Sequence, residues 1–448
     1  MKTIYQIFLI LFLGSQLHAQ QEIQVPLMSH LASSSKANPA RMPKYKWNMQ
    51  MPSLGFGFLH TGPSFKDLYT RDVSGMYHLD GQQAIDEFDK SNIFTGSFSG
   101  DIFGLDYTWD NNSVNVRYGS YVDAAIKYTA DGARLLLKGN GNAVGETLTV
   151  GPAFNFNVYD KLGIGYVREI EKLTLGGRVN FLFGRKALST EEQTAKLTTG
   201  SDYYKLNLET SYVVHSSDFV DVDTNTNKVN FADMTFKPGF GGNGSGVGFD
   251  FGVGYQFDDA ISGYLSITDL GSITWKNNTS TYSSHKRASY GGVKIESLAK
   301  LDTASLSGML DSIQKFVDFD KSVGEFKTRL TPNIMMGGTW KFTDNITFDG
   351  VLGAKKVLGR FLPMAGVGVQ FELNEWAKVG TSFSYQNKRV NHVGLNTTLE
   401  FLPLQMFMGT DNILTFLMPK SANTMHFRFG VNVMFGKYTK RKTIYGLG

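Results

Sequence analysis

The sequence predicts an all-β protein, an antiparallel transmembrane β-barrel of about 14 strands, on three observations. Segments of alternating polarity recur at membrane-strand length, the chain opens on a short apolar leader, and no later apolar run is long enough for a spanning helix.

The leader consists of Met1 and Lys2, an apolar run from Ile4 to Leu13, then Gly14, Ser15 and a polar stretch from Gln16 to Gln21. This is the layout of a secretory signal peptide, and the run falls short of the roughly 20 residues a helix needs to cross a bilayer. Cleavage is expected after Ala19, although Leu17 is larger than the pattern prefers. The absence of cysteine excludes a lipoprotein anchor, disulfides and thiolate metal sites. With 49 Gly, 34 Phe, 20 Tyr and only 19% charged residues, the composition is strand-rich and aromatic-rich. A net charge of +4 on 448 residues gives no nucleic-acid footprint.

Strand periodicity carries most of the weight. Val247, Phe249, Phe251, Val253, Tyr255 and Phe257 share one face, and Gly248, Asp250, Gly252, Gly254 and Gln256 share the other. Near the carboxyl end Phe427, Phe429, Val431, Val433 and Phe435 alternate with Arg428, Gly430, Asn432 and Met434. The same division recurs in Leu173 to Phe183, Val367 to Leu373, Ala377 to Tyr385 and Val393 to Phe401. A barrel wall reads apolar outward and polar or small inward, so Arg178, Asp250, Gln370, Glu372, His392, His426, Arg428 and Asn432 are the expected lumen-facing residues. A soluble sandwich also alternates. Aromatic residues at strand ends, Trp340 and Phe342, Trp376, Tyr385 and Phe401, favour the interfacial girdles of a membrane barrel.

Tight joints are expected at Asp258 and Asp259, Thr343 to Asn345, Leu373 to Trp376, and Leu402 and Pro403. Longer connections are expected over Lys276 to Thr331, Ala354 to Phe361, Gln386 to Asn391 and Thr410 to Thr424. Short and long connections alternate, as periplasmic turns and extracellular loops do, which places the carboxyl tail in the periplasm. Gly184 to Asp202 and His215 to Gly246 resist a unique parity, so the strand count ranges over roughly 12 to 16 and is even. The expected organisation is a signal peptide over 1–19, an amino-terminal extended segment over 20–47, the barrel with its loops over 48–436, and a basic periplasmic tail over 437–448. Short helices are expected at Asp80 to Lys90, through Ala84, Ile85 and Phe88, and in the longest loop, where Leu306, Leu310, Ile313 and Val317 share one side. The latter either caps the pore or packs on loop neighbours.

Asn38-Pro39-Ala40, the glycine-rich run into Val247 to Phe257, Ile267-Thr268-Asp269-Leu270-Gly271 with Trp275, and the ending from Asn412-Ile413-Leu414 through Phe429-Gly430-Val431-Asn432 to Phe435-Gly436 carry a resemblance. Together they resemble an uncharacterised family of Bacteroidota outer-membrane barrels that is similar to the long-chain fatty-acid transporter superfamily. The resemblance covers nearly the whole mature chain and implies a 14-stranded barrel in the outer membrane. It further implies passage of hydrophobic molecules or a role beside a secretion machine. It offers no catalytic or ligand-binding residue to carry over. The expected function is therefore passive transport of a small hydrophobic solute, and the alternative is a docking or shuttle barrel for a secreted protein or secretion complex.

Enzymatic chemistry finds little support. Of His30, His60, His78, His215, His285, His392 and His426, only the last two lie on well-patterned strands, and no short motif supplies a nucleophile beside them. The run Gly239 to Gly248 lacks the Lys-Ser or Lys-Thr of a phosphate loop and leads into a strand. Asp221 to Asn227 offers oxygens at alternate positions, but Thr226 and Ala232 stand where a calcium loop needs Gly and Glu. No cofactor or metal is expected. The stretch Lys437 to Lys442 reads as a solvated basic tail that could touch anionic headgroups.

Overall fold

Fourteen strands close into one barrel. They are β1 (Tyr45–His60), β2 (Ser91–Trp109), β3 (Asn112–Thr129), β4 (Ala153–Ile170), β5 (Leu173–Thr199), β6 (Gly244–Gln256) and β7 (Ile261–Trp275), then β8 (Asn333–Lys341), β9 (Ile346–Val357), β10 (Arg360–Asn374), β11 (Ala377–Gln386), β12 (Arg389–Phe401), β13 (Leu404–Thr410) and β14 (Thr424–Lys437). Each pairs antiparallel with its predecessor, and β14 returns to β1 with Phe429 opposite Leu54 and Phe435 opposite Trp47. The computed structural model describes residues 23–79, 81–201, 205–223, 228–232, 238–290, 319–386 and 389–437. The expected signal peptide, the helix expected in the longest loop and the tail beyond residue 437 lie outside these residues.

The alternation becomes a division between two environments. On β6 the side chains of Phe249, Phe251 and Val253 are open to the outside at 43%, 53% and 42%, whereas Asp250 between them is 1% exposed. In water this belt would forfeit roughly 1.5–3 kcal/mol for each large apolar side chain. In hydrocarbon it costs nothing, and closure leaves no unpaired strand edge, so the barrel spans a membrane. A girdle marks one rim. Trp47 lies against Tyr107 at 4.4 Å, Trp340 against Phe348 at 5.6 Å and Trp376 against Phe401 at 5.3 Å, all at the end carrying the short turns.

At that turn end the four expected joints are hairpin turns between β6 and β7, β8 and β9, β10 and β11, and β12 and β13. The opposite, loop end differs from expectation twice. The segment Ala354–Phe361 is not a long connection, because β9 and β10 pair as far as Val357 and Arg360 around Leu358 and Gly359. Both have positive φ (45° and 83°), which a tight two-residue hairpin requires. The adjacent lysines face opposite ways: Lys355 borders the interior, and Lys356 covers the ring of Phe361 at the rim. Likewise Gln386 ends one strand and Arg389 begins the next, and the two pair, so the strands extend into the expected connection.

Parity fails in Gly184 to Asp202 for a physical reason. The strand β5 continues past the wall, and its outer part pairs with Leu206–Ser217, which pairs in turn with Thr279–Tyr290. A bulge between Thr190 and Glu192 shifts its phase. Bulges between Gln50 and Ser53 in β1, and between Asp101 and Phe103 in β2, do the same in the amino-terminal half. Gly81–Asp86 is helical, as expected between residues 80 and 90. A further helix, Ala130–Lys138, starts where the Thr129 hydroxyl accepts from the Gly132 amide at 3.0 Å.

The amino-terminal segment is the main departure. Expected as part of an extended stretch over 20–47, residues 23–40 instead fold inside the barrel through the short helices Gln24–Leu27 and Ala32–Lys36. Ile23, Val25, Leu27 and Leu31 are buried, and they leave water by filling the lumen.

Candidate functional site

The interior is built around this plug. Its first half packs Ile23, Val25 and Leu27 on Met335, Val351 and Met364 of β8, β9 and β10. The buried Asp411 carboxylate accepts from the amides of Ile23 at 3.0 Å and Gln24 at 2.9 Å. The Gln24 side chain donates to Ser382 Oγ at 2.7 Å and accepts from Asn396 Nδ2 at 3.1 Å, while Gln370 donates to the Leu27 carbonyl at 3.1 Å. The second half is held ionically. Arg178 donates to the Ser35 carbonyl at 3.1 Å, Ser266 donates to the Ala37 carbonyl at 2.6 Å, and Lys36 pairs with Asp101.

Glycines on the wall make room for the backbone of the plug. A Cβ on Gly176 would strike the Pro39 carbonyl and come within 2.5 Å of Ala40 Cα, and one on Gly252 would lie 2.7 Å from the Ala40 amide nitrogen. The Asn38-Pro39-Ala40 motif and the glycine-rich strand β6 are thus two sides of one contact.

Above the plug, in the middle of the barrel, lies a cavity of about 180 Å³ floored by Val25, Pro26 and Lys36. Of the eight predicted residues, Arg178, Asp250, His426 and Arg428 border it. Arg178 pairs with Asp250 at 3.0 Å, and Asp250 also accepts from the Asp269 amide at 2.8 Å. Arg428 pairs with Asp101 at 3.1 Å and donates to Ser99 Oγ at 2.7 Å. His426 Nδ1 is 3.4 Å from Asp411, a carboxylate already engaged with the plug amides. The other four lie elsewhere. Gln370 holds the plug, Asn432 donates to Gln405 at 2.7 Å nearer the turn end, and His392 is buried on β12 opposite Ser384. Glu372 departs most from the expectation: near the turn end of β10 its side chain is 43% exposed and pairs with Lys378 at 2.8 Å. Parity assigned its face, but parity cannot sense height along the strand.

Sequence reasoning missed Lys36, Asp101, Lys161 and Asp269. Asp101 stands at the β2 bulge, which flips the alternation, and Asp269 has positive φ (59°) where β7 bends. Lys161 pairs with Asp269 at 2.9 Å. The two carboxylates stand out in otherwise apolar and small segments, a signal that could have found them.

Toward the loop end the interior changes character. Tyr159, Leu182, Ile273, Trp275, Phe326 and Leu330 form a buried apolar cluster on the inside of β4, β5 and β7. Leu59, Ile93, Ala125, Val357 and Leu362 form another beneath the rim. Beside the first cluster the ladder on β7 is interrupted. Thr268 pairs with Asn333, Ser272 pairs with Arg329, and only the Leu330 amide to Gly271 carbonyl bond of 3.0 Å spans the residues between. Pro332 lies in this gap and has no amide to donate.

Residues 39–411 match the family described as "Family of unknown function (DUF5723)". The chain belongs to this family. The comparison with curated proteins gives no match. Among solved structures, the TodX deltaS2S3 mutant monoaromatic hydrocarbon channel is similar at 10% identity and a TM-score of 0.43, over 91% of this chain and 95% of that one. The Pseudomonas putida toluene transporter TodX is similar at 9% identity and 0.42, over 93% and 96%. The Ralstonia pickettii toluene transporter TbuX is similar at 9% identity and 0.41, over 90% and 93%. Similarity of this degree is one of barrel architecture.

Proposed function

We propose that this barrel sits in the outer membrane, with its turn end in the periplasm, and passes a small hydrophobic solute by diffusion. The observation that carries this reading is the apolar lining of the loop-end interior beside the interrupted β7–β8 ladder. A water-filled porin lines its channel with polar groups. Here Trp275, Phe326 and Leu330 form an apolar interior beside the interruption of the β7 ladder, which suits a solute that prefers hydrocarbon to water. Farther in, the named cations are paired, Arg178 with Asp250, Lys161 with Asp269, and Arg428 and Lys36 both with Asp101, so their charge is largely screened. The plug is the gate, and its ionically held second half is the part that yields.

A disulfide tests the gate, because the native chain has no cysteine. Ser266 Oγ and the Ala37 carbonyl are 2.6 Å apart, so Ala37→Cys with Ser266→Cys can tether the plug to β7. Uptake of N-phenylnaphthylamine by cells with an intact outer membrane is expected to rise several-fold on expression of the barrel. In the double variant uptake should fall to background when oxidised and recover when reduced. Uptake indifferent to both expression and reduction, with the barrel correctly inserted, would overturn the proposal.

The strands beyond the wall support a second reading, in which the loop end docks a secreted protein or secretion complex. The sheet formed by the outer part of β5 with Leu206–Ser217 and Thr279–Tyr290 presents Glu192, Glu209 and Arg287 to solvent. Replacing these charges without changing what cross-links to the barrel in native membranes would remove this reading.

A further inference from the structure

We propose that the chain between β13 and β14 lies in the outer leaflet of the membrane, where the helical turn Leu414–Leu417 and the residue after it contact lipid acyl chains as a panel of wall that is not a strand. This placement needs only that the barrel spans a membrane and is independent of transport.

The strand β13 is short. Its last pairings set Gly409 opposite Arg428 of β14 and Thr410 opposite Leu395 of β12, yet toward the loop end β14 extends to Thr424 and β12 to Arg389. Asp411 to Asn423 therefore fill the interval between two strands that have lost their common neighbour. Two bonds fix the segment there: the Ile413 amide donates to the Val393 carbonyl at 2.7 Å, and the Thr415 hydroxyl donates to the Thr424 carbonyl. The apolar belt reaches this height on both flanks. Phe383 of β11, opposite Val393, is 48% exposed. On the other flank Phe427 of β14 lies 5.8 Å from Phe56 of β1, and Phe58 lies 6.3 Å from Phe94 of β2.

The segment repeats the division of polarity seen in the wall. Asn412 and Thr415 are buried, whereas Phe416, Leu417 and Met418 are open at 51%, 69% and 58%. No charged residue occurs from Asn412 to Pro419. A loop in water can leave its backbone groups to the solvent, but chain in hydrocarbon must satisfy them internally. Here the amides of Asn412 and Leu414 donate to Thr410 Oγ1 at 3.3 Å and to Asn412 Oδ1 at 3.2 Å. Those of Thr415, Phe416 and Met418 donate to the carbonyls of Asn412, Ile413 and Leu414. Pro419 has no amide to satisfy. The first charge, Lys420, holds its ammonium 4.1 Å from the centre of the Tyr77 ring. Lysine and tyrosine are the residues expected where hydrocarbon gives way to headgroups, so this pair marks the upper edge of the panel.

Because the native chain has no cysteine, a nitroxide label can be placed at single sites. Leu417→Cys and Met418→Cys, labelled on the full-length barrel in phosphatidylcholine vesicles, are compared with Phe251→Cys in the belt and Asp259→Cys in the β6–β7 turn. The measurement is collision with oxygen, which concentrates in hydrocarbon, relative to collision with a water-soluble nickel chelate. That ratio is expected to be roughly fivefold or more above Asp259→Cys at both panel positions, and of the same order as at Phe251→Cys. The two panel variants are measured separately, so the test stands if one of them fails to fold. A ratio within twofold of Asp259→Cys at either inserted variant would overturn the proposal and leave these side chains to water or to a protein partner at the loop end.

Discussion

The two halves of the plug sit in one barrel but are held by different physics. Ile23 to Met28 are packed on apolar side chains and anchored by a buried carboxylate, although Val25 and Pro26 also floor the lumen cavity. Ser34 to Lys44 rest on ionic and carbonyl contacts, run between the lumen cavity and a second one at the turn end, and end in the cations Arg41 and Lys44. Apolar burial is indifferent to small shifts, whereas a charged contact in a wet cavity can exchange its partner for water at modest cost. A gate needs both, a fixed end and a yielding one, and the order along this chain puts the fixed end deepest.

The largest expected effect follows from removing the anchor. Asp411→Ala leaves two buried amides without their acceptor and His426 without its nearby carboxylate, at a cost of about 3 kcal/mol or more. Labelling of a Val25→Cys reporter from the aqueous phase should accelerate by about a hundredfold, since each 1.4 kcal/mol is a factor of ten. If labelling of Val25→Cys is unchanged while the barrel remains inserted, the first half is not the fixed end.

A smaller effect separates two glycines on one strand and one face. A Cβ on Gly252 would lie 2.7 Å from the backbone of Ala40, whereas on Gly248 its nearest neighbour, Leu330 Cδ1, is at 3.6 Å, an ordinary contact. Gly252→Ala must move the plug backbone, at about 1–3 kcal/mol. Labelling of an Ala37→Cys reporter should rise about tenfold or more in Gly252→Ala and stay within twofold in Gly248→Ala. Equal rates in the two variants would mean that the glycine-rich face of β6 is not shaped by the plug.

This pair of glycines also shows what the sequence discloses. Alternation along β6 and β14 predicted the wall because a strand in lipid must keep one face apolar at every second residue, a rule legible residue by residue. The bulges at Gln50–Ser53 and Asp101–Phe103 were invisible because one extra residue inverts every later assignment in its strand. The plug was invisible for another reason. Residues 23–40 are too short to show their own periodicity, and what folds them is a complementary surface of glycines and polar groups hundreds of residues away. Arg178 and Asp250 were placed on the correct face, but that they pair with each other follows only from register, with Asp250 opposite Arg178 across β5 and β6.

The smallest effect concerns pH and acts on the yielding half alone. Lys44 has an ordinary value of 10.5 and is held at about 8 where it sits, by enclosure first and then by Arg41 and Lys378. A released segment keeps its proton up to 10.5, so between about 8 and 10.5 the docked state binds fewer protons than the released one. Docking therefore strengthens as pH rises through that window, and below about 8 the full penalty of the charged ammonium is present. Because Lys44 keeps accessible surface, screening limits the gain to a few-fold. With rates corrected for thiolate content against a free cysteine standard, labelling of Ala37→Cys should slow a few-fold between pH 7.5 and 9.5. Labelling of Val25→Cys should not change, and Lys44→Met should abolish the slope. A common slope at both reporters would show that the plug moves as a single body, and the distinction between its halves would then lie only in their contacts, not in their freedom to move.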